Sequence, residues 1–143
     1  MKIFVEKFGG ASVNSSMAVK NVASILKMEK KRRLVVISAM GKTTNKLENI
    51  VNSWFNDKTF NEEQYNELRN YHKNIIKELF NDDSTKYENI IESIFCELNQ
   101  KIKTINHKDY NFLYDSIVSY GEKISTTIVS SYLNYIGIKN TLV

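Results

Sequence analysis

The sequence predicts an α/β fold with a mostly parallel sheet, a large helical portion and an incomplete outline. Three observations lead there. Two apolar runs of strand length, IFVEKF near the N-terminus and RLVVIS at 33–38, flank a helical stretch and so form a βαβ unit. Between 44 and 135 the apolar residues recur at helical spacing. The final residues, GIKNTLV, begin another strand and stop within it, so the chain is expected to be a fragment of a larger α/β domain.

The elements follow in order. Residues 2–8 alternate weakly and are rich in Ile, Phe and Val, as a strand requires. Asn14, Ser15 and Ser16 can cap a helix over Met17–Glu29, whose Val19, Val22, Ala23 and Leu26 form one face. RLVVIS is continuously apolar, which fits a strand covered on both faces. A helix from Thr44 to about Phe55 carries Leu47, Ile50, Val51 and Trp54. A second starts at Asn61, with Gln64 placed for a capping box, and a third follows the NDDST turn, with Thr85 and Glu88 spaced the same way. The short link predicts an antiparallel hairpin. A helical pattern then runs from Asp109 to Tyr135, is interrupted at Gly121, and ends at Gly137 as C-cap.

Composition narrows the function classes. The chain has 143 residues, enough for one core, and 25% charged residues, which fits an ordinary globular chain. It has no run of about 18 apolar residues, so no membrane partner is expected, and no signal-like N-terminus, so a cytoplasmic location is the default. Cys96 is the single cysteine, which excludes an intrachain disulfide and argues against a cysteine metal site. His72 and His107 have no ligand partners at metal spacing, so no metal site is expected. The basic run KMEKKRR reads as a solvated helix end, and it lacks the interleaved aromatics of a nucleic-acid surface.

Three stretches can carry chemistry. In KFGGAS, residues 7–12, Lys7 ends a parallel strand, Gly9 and Gly10 let a ligand approach the backbone, and the next helix offers N–H donors. That makes a phosphate cradle, although a plain strand-to-helix turn has the same spacing. SAMGKTTN, residues 38–45, contains GKT, but Val36 stands where a P-loop needs its first glycine. Ser38 and Thr44 remain as hydrogen-bonding groups beside the first loop, and Thr43 reads as a helix cap. In YGEKIST, Gly121 sits inside a helical pattern at a cost of about 0.8–1 kcal/mol relative to alanine, which a kink or a close backbone contact must offset. By periodicity alone Glu122 points to solvent; aimed into a site, it could pair with a substrate ammonium.

Taken together, the stretches resemble the aspartate kinase branch of the amino-acid kinase family. The family's K-F-G-G-T-S-V stands here as Lys7-Phe8-Gly9-Gly10-Ala11-Ser12-Val13, its V-V-x-S-A-x-x-x-x-T-N as VVISAMGKTTN at 35–45, and its G-E-x-x-S-T as Gly121 to Thr126. The resemblance covers the whole chain. It implies a three-layer αβα sandwich with a mostly parallel sheet, of which residues 1–143 would be the N-terminal part, with a helical insertion at about 44–107. It implies transfer of the ATP γ-phosphate to the side-chain carboxylate of L-aspartate, giving 4-phospho-L-aspartate on the route to lysine, threonine and methionine. ATP with Mg2+ is the implied cofactor, and a homo-oligomer is implied for the full-length enzyme. Lys7 is the implied catalytic cation; Lys7, Gly9, Gly10 and Ser12 would bind the ATP phosphates, and Ser38, Thr44 and Glu122 the aspartate. Ala11 departs from the family's threonine and removes a hydroxyl beside the glycines. The family's nucleotide-binding half and C-terminal regulatory domains are absent, so this chain alone is expected to be inactive. Two alternatives stay open: a kinase of another small carboxylate, and a non-catalytic ligand-binding module.

Overall fold

The computed structural model describes residues 3–28, 31–105 and 109–143. Two strands, β1 (Phe4–Phe8) and β2 (Arg33–Ile37), pair in parallel, with Phe4 opposite Arg33 and Phe8 opposite Ile37. Helix α1 (Ser16–Met28) makes the crossover. Ser15 caps it, its hydroxyl accepting from the Ala18 N–H at 3.1 Å. A single 3-10 turn, Gly10–Val13, separates β1 from α1.

The sheet is covered on one face. Phe8, Val35 and Ile37 pack onto the core to which α1 contributes Val19, Val22 and Leu26. On the same face Glu6 and Arg33 pair across the strands at 3.0 Å. The opposite face carries Val5, Lys7, Leu34 and Val36, all exposed, with Val5 at 67% and Leu34 at 46%. The expected covering of RLVVIS on both faces is therefore not found among the described residues. Alternation sends every second side chain to each face, and helices pack against only one.

The third expected strand is also not found: residues 138–143 are irregular. Their polar groups bond to a helix instead of a sheet edge. Asn140 accepts from the Ser130 hydroxyl at 2.6 Å, and its own N–H donates to the Asn134 side chain at 3.0 Å. These bonds hold the segment against α6 (Tyr120–Tyr135).

The middle of the chain is helical, as expected. It comprises α2 (Thr43–Asp57), α3 (Glu62–Phe80) and α4 (Ser84–Thr104), followed by α5 (Tyr110–Val118) and α6. Asn61 caps α3 by accepting from the Gln64 N–H at 3.1 Å. At the start of α4 it is Ser84, one residue before the expected Thr85, that donates to Glu88 at 2.9 Å. Helices α3 and α4 lie antiparallel: Tyr65 donates to the Phe95 carbonyl at 2.7 Å, Arg69 bonds Glu92 at 2.8 Å, and Phe80 stacks on Tyr87. Leu47, Leu68, Ile76, Phe95, Leu98, Leu113 and Ile124 make the shared core, all essentially without exposure. His107 lies outside the described residues. No described helix is long and apolar enough to cross a membrane.

The last two helices break at Ser119, two residues before the expected Gly121. Gly121 lies in the first turn of α6, where a Cβ would come within 2.9 Å of the Ala39 Cβ and 3.3 Å of the Thr43 Cγ2. The glycine thus serves a close approach between elements, but to the side chains of Ala39, Thr43 and Leu47 and not to another backbone as the sequence suggested. Helix α6 ends in a Schellman motif: Gly137, at φ +87, donates to the Asn134 carbonyl, and the Ile138 N–H donates to the Leu133 carbonyl at 2.8 Å.

Candidate functional site

The three sequence stretches meet at the carboxyl ends of the two strands. Past Ile37 the strand pairing continues for one bond, from the Ser38 N–H to the Phe8 carbonyl at 3.0 Å. The loops then touch directly. The Gly41 N–H donates to the Gly10 carbonyl at 3.0 Å. The third stretch joins through Ser125 of α6, whose hydroxyl donates to the Ser38 carbonyl at 2.7 Å.

The two adjacent glycines have different jobs. A Cβ on Gly10 would lie 2.7 Å from the Ala39 carbonyl oxygen and 3.1 Å from that of Gly41. Packing against the second loop therefore by itself requires a glycine at position 10. A Cβ on Gly9 would meet nothing within 4 Å, so the open space of the first loop lies over Gly9. Gly41 has φ +53, a left-handed conformation that favours glycine.

Lys7 lies on the exposed sheet face, opposite Val36 in register. Glu122 is in the first turn of α6 and is exposed. Neither side chain forms an ion pair among the described residues. Ser12 is exposed, and Ser38 and Thr44 are half-buried. Thr44 is in the first turn of α2, a helix that has no side-chain cap, unlike α3 and α5. Its first-turn N–H groups and dipole favour an anion there. Among the described residues no cluster of three or more His, Cys, Asp or Glu side chains could hold a metal ion.

Thr43 is buried, and its hydroxyl donates back to the Met40 carbonyl at 2.6 Å. It fastens the loop and does not cap α2 as the sequence suggested: Thr43 is the first residue of that helix, which has no side-chain cap. Behind it lies His72, fully buried, whose Nδ1–H donates to the Leu68 carbonyl at 2.8 Å. Burial lowers the His72 pKa to about 4, so the ring is neutral at pH 7. Sequence reasoning placed His72 in an apolar stripe and missed this link to the loop; only its spacing from Thr43 in three dimensions reveals it.

A cavity of about 810 Å3 opens elsewhere, between Leu26, Leu34, Leu133 and the C-terminal segment. None of Lys7, Gly9, Gly10, Ser12, Ser38, Thr44 and Glu122 lines it. Its walls are mainly aliphatic and it holds no part of the loop cluster.

Known proteins resemble this chain in sequence and in fold. Aspartokinase 1, chloroplastic, of Arabidopsis thaliana is 36% identical over 148 residues, covering 94% of this chain and 24% of its own length. Escherichia coli aspartokinase III in complex with lysine and aspartate superposes with TM-score 0.80 at 26% identity, over 96% of this chain and 30% of that one. The same enzyme in complex with aspartate and ADP gives TM-score 0.77 at 28% identity, over 93% and 29%. The chain thus spans about a quarter of the length of the curated relatives it matches. The profile of the amino acid kinase family matches residues 2–143, and the chain belongs to that family.

Proposed function

We propose that this chain carries the aspartate pocket and part of the phosphate site of an aspartate kinase. The observation that supports it most is the convergence of the three stretches, joined by the Gly41–Gly10 and Ser125–Ser38 hydrogen bonds. In this reading a side-chain carboxylate oxygen of L-aspartate attacks the γ-phosphorus of ATP. The bond to the β,γ-bridging oxygen breaks, ADP leaves, and 4-phospho-L-aspartate forms. Lys7 holds its ammonium against the charge on the transferring phosphoryl group, and Gly9, Gly10 and Ser12 bind phosphate oxygens. Such positioning and electrostatic stabilisation carry most of the catalysis in phosphoryl transfer. Ser38 and Thr44 bind the substrate's carboxylates, helped by the uncapped start of α2. Glu122 pairs with its ammonium. Exposed and without charged partners, Lys7 and Glu122 are available for both roles. Mg2+ would travel with the nucleotide.

Turnover is proposed for the complete enzyme, and the 143-residue chain alone is expected to have none. The test is aspartate-dependent ADP release by the complete enzyme, with glutamate and N-acetylglutamate as competing acceptors. Lys7→Ala is expected to lower kcat by about 100-fold or more. Glu122→Ala is expected to raise the aspartate KM by roughly 10-fold or more, as loss of a charged hydrogen bond implies. Wild-type kinetics in either variant would remove that residue from its role, and preference for another acceptor would replace aspartate as substrate.

A further inference from the structure

The loop cluster is held from behind by the helical portion of the chain. Tyr71, on α3, donates its hydroxyl to the Asn14 carbonyl at 2.7 Å, at the end of the turn that follows Gly9 and Gly10. The same oxygen lies over the second loop: a Cβ on Gly41 would come within 2.8 Å of it. Gly41 in turn donates to Gly10. One hydroxyl therefore sits where the first loop, the second loop and α3 meet. The next residue, His72, packs its Nε2 3.4 Å from the Thr43 hydroxyl, with the two rings edge to face.

We propose that Tyr71 is a positioning residue for the phosphate loop, holding the Gly9–Asn14 turn against the second loop so that its backbone donors face the nucleotide. The proposal rests on the kinase reading given above. The bond is made to the first loop, whereas the aspartate groups Ser38, Thr44 and Glu122 stand on other segments. Loss of the hydroxyl should therefore weaken use of the nucleotide more than use of aspartate.

A matched control lies on the same helix. Tyr65 also donates to a backbone carbonyl at 2.7 Å, but its acceptor is Phe95 on α4. Tyr71→Phe and Tyr65→Phe remove the same chemical group, one at the loops and one within the hairpin.

The test compares the two variants in the complete enzyme. Tyr71→Phe is expected to lower kcat/KM for ATP by about 3- to 10-fold, the range of one neutral hydrogen bond. The aspartate KM should stay within about twofold of wild type, and amide exchange at Ser12 and Gly41 should accelerate. Tyr65→Phe is expected to lower Tm and leave both substrate constants unchanged. The proposal is overturned if Tyr71→Phe lowers Tm alone, if it shifts both substrates equally, or if Tyr65→Phe reproduces its kinetic effect. Should Tyr71→Phe not yield folded enzyme, the hydroxyl is a stability element and the proposal also falls. Wild-type enzyme without aspartate-dependent turnover would refute the kinase reading itself, a result distinct from all of these.

Discussion

Replacing each of two adjacent glycines with alanine should give opposite results. At Gly10 the new methyl would sit 2.7 Å from the Ala39 carbonyl oxygen and 3.1 Å from that of Gly41. Both are backbone atoms, so no side chain can swing away. Overpacking of this kind costs about 1–3 kcal/mol. Parting the loops would also lose the Gly41 to Gly10 hydrogen bond, worth about 1 kcal/mol. The sum, about 2–4 kcal/mol, corresponds to a fall in Tm on the order of 10 °C for a chain of this size. Gly9 has φ −75 and ψ 172, which alanine adopts freely, and open space around its Cα. Gly9→Ala should be neutral or stabilising by about 0.4–1 kcal/mol, through the unfolded chain. Thermal and urea unfolding of the two variants beside wild type measures the contrast. A Gly10→Ala protein melting with Gly9→Ala would refute the close loop packing from which these figures come.

Further outcomes follow from the same geometry. Gly121→Ala gains about 1 kcal/mol of helix propensity but crowds the side chains of Ala39, Thr43 and Leu47; net destabilisation by roughly 1 kcal/mol is expected in urea, and a gain in stability would contradict the contact. The His72 pKa is lowered in the folded state, so the unfolded chain binds the extra proton; stability is full above pH 6.5 and declines as pH falls from there toward 4. The loss is on the order of 3 kcal/mol, and His72→Leu should flatten the dependence in that window; parallel profiles would count against a buried neutral ring. Asn140→Ala should free the 138–143 segment at a cost of about 1–2 kcal/mol, seen as faster amide exchange there with α6 still protected.

Much of the local structure was legible because it depends on neighbours in sequence. The helical stripes of α2, α3 and α4, the Asn61 cap and Gly137 past the end of α6 follow from side-chain spacing and backbone chemistry within a turn or two. The strand assignment for 138–143 failed because a strand is defined by its partner, and the polar groups of Asn140 found theirs on α6. The break at Ser119 in place of Gly121 has the same character: the glycine is demanded by Ala39, some 80 residues away.

The site divides in the same way. The sequence by itself determined the residue types: a lysine ending a parallel strand, adjacent glycines, a loop of small hydroxyl residues, and a Gly-Glu pair at a helix start. It could not say which glycine borders open space and which abuts a carbonyl, since both have the same side chain and differ only in what approaches them. Nor could it connect Tyr71 to Asn14 across 57 positions. Periodicity reports which face of an element is buried, whereas convergence of loops depends on how elements cross. Only the tertiary structure decided that Gly10 closes the cluster, Gly9 leaves it open, and a hydroxyl from α3 bonds the first loop at Asn14 beside Gly41 of the second.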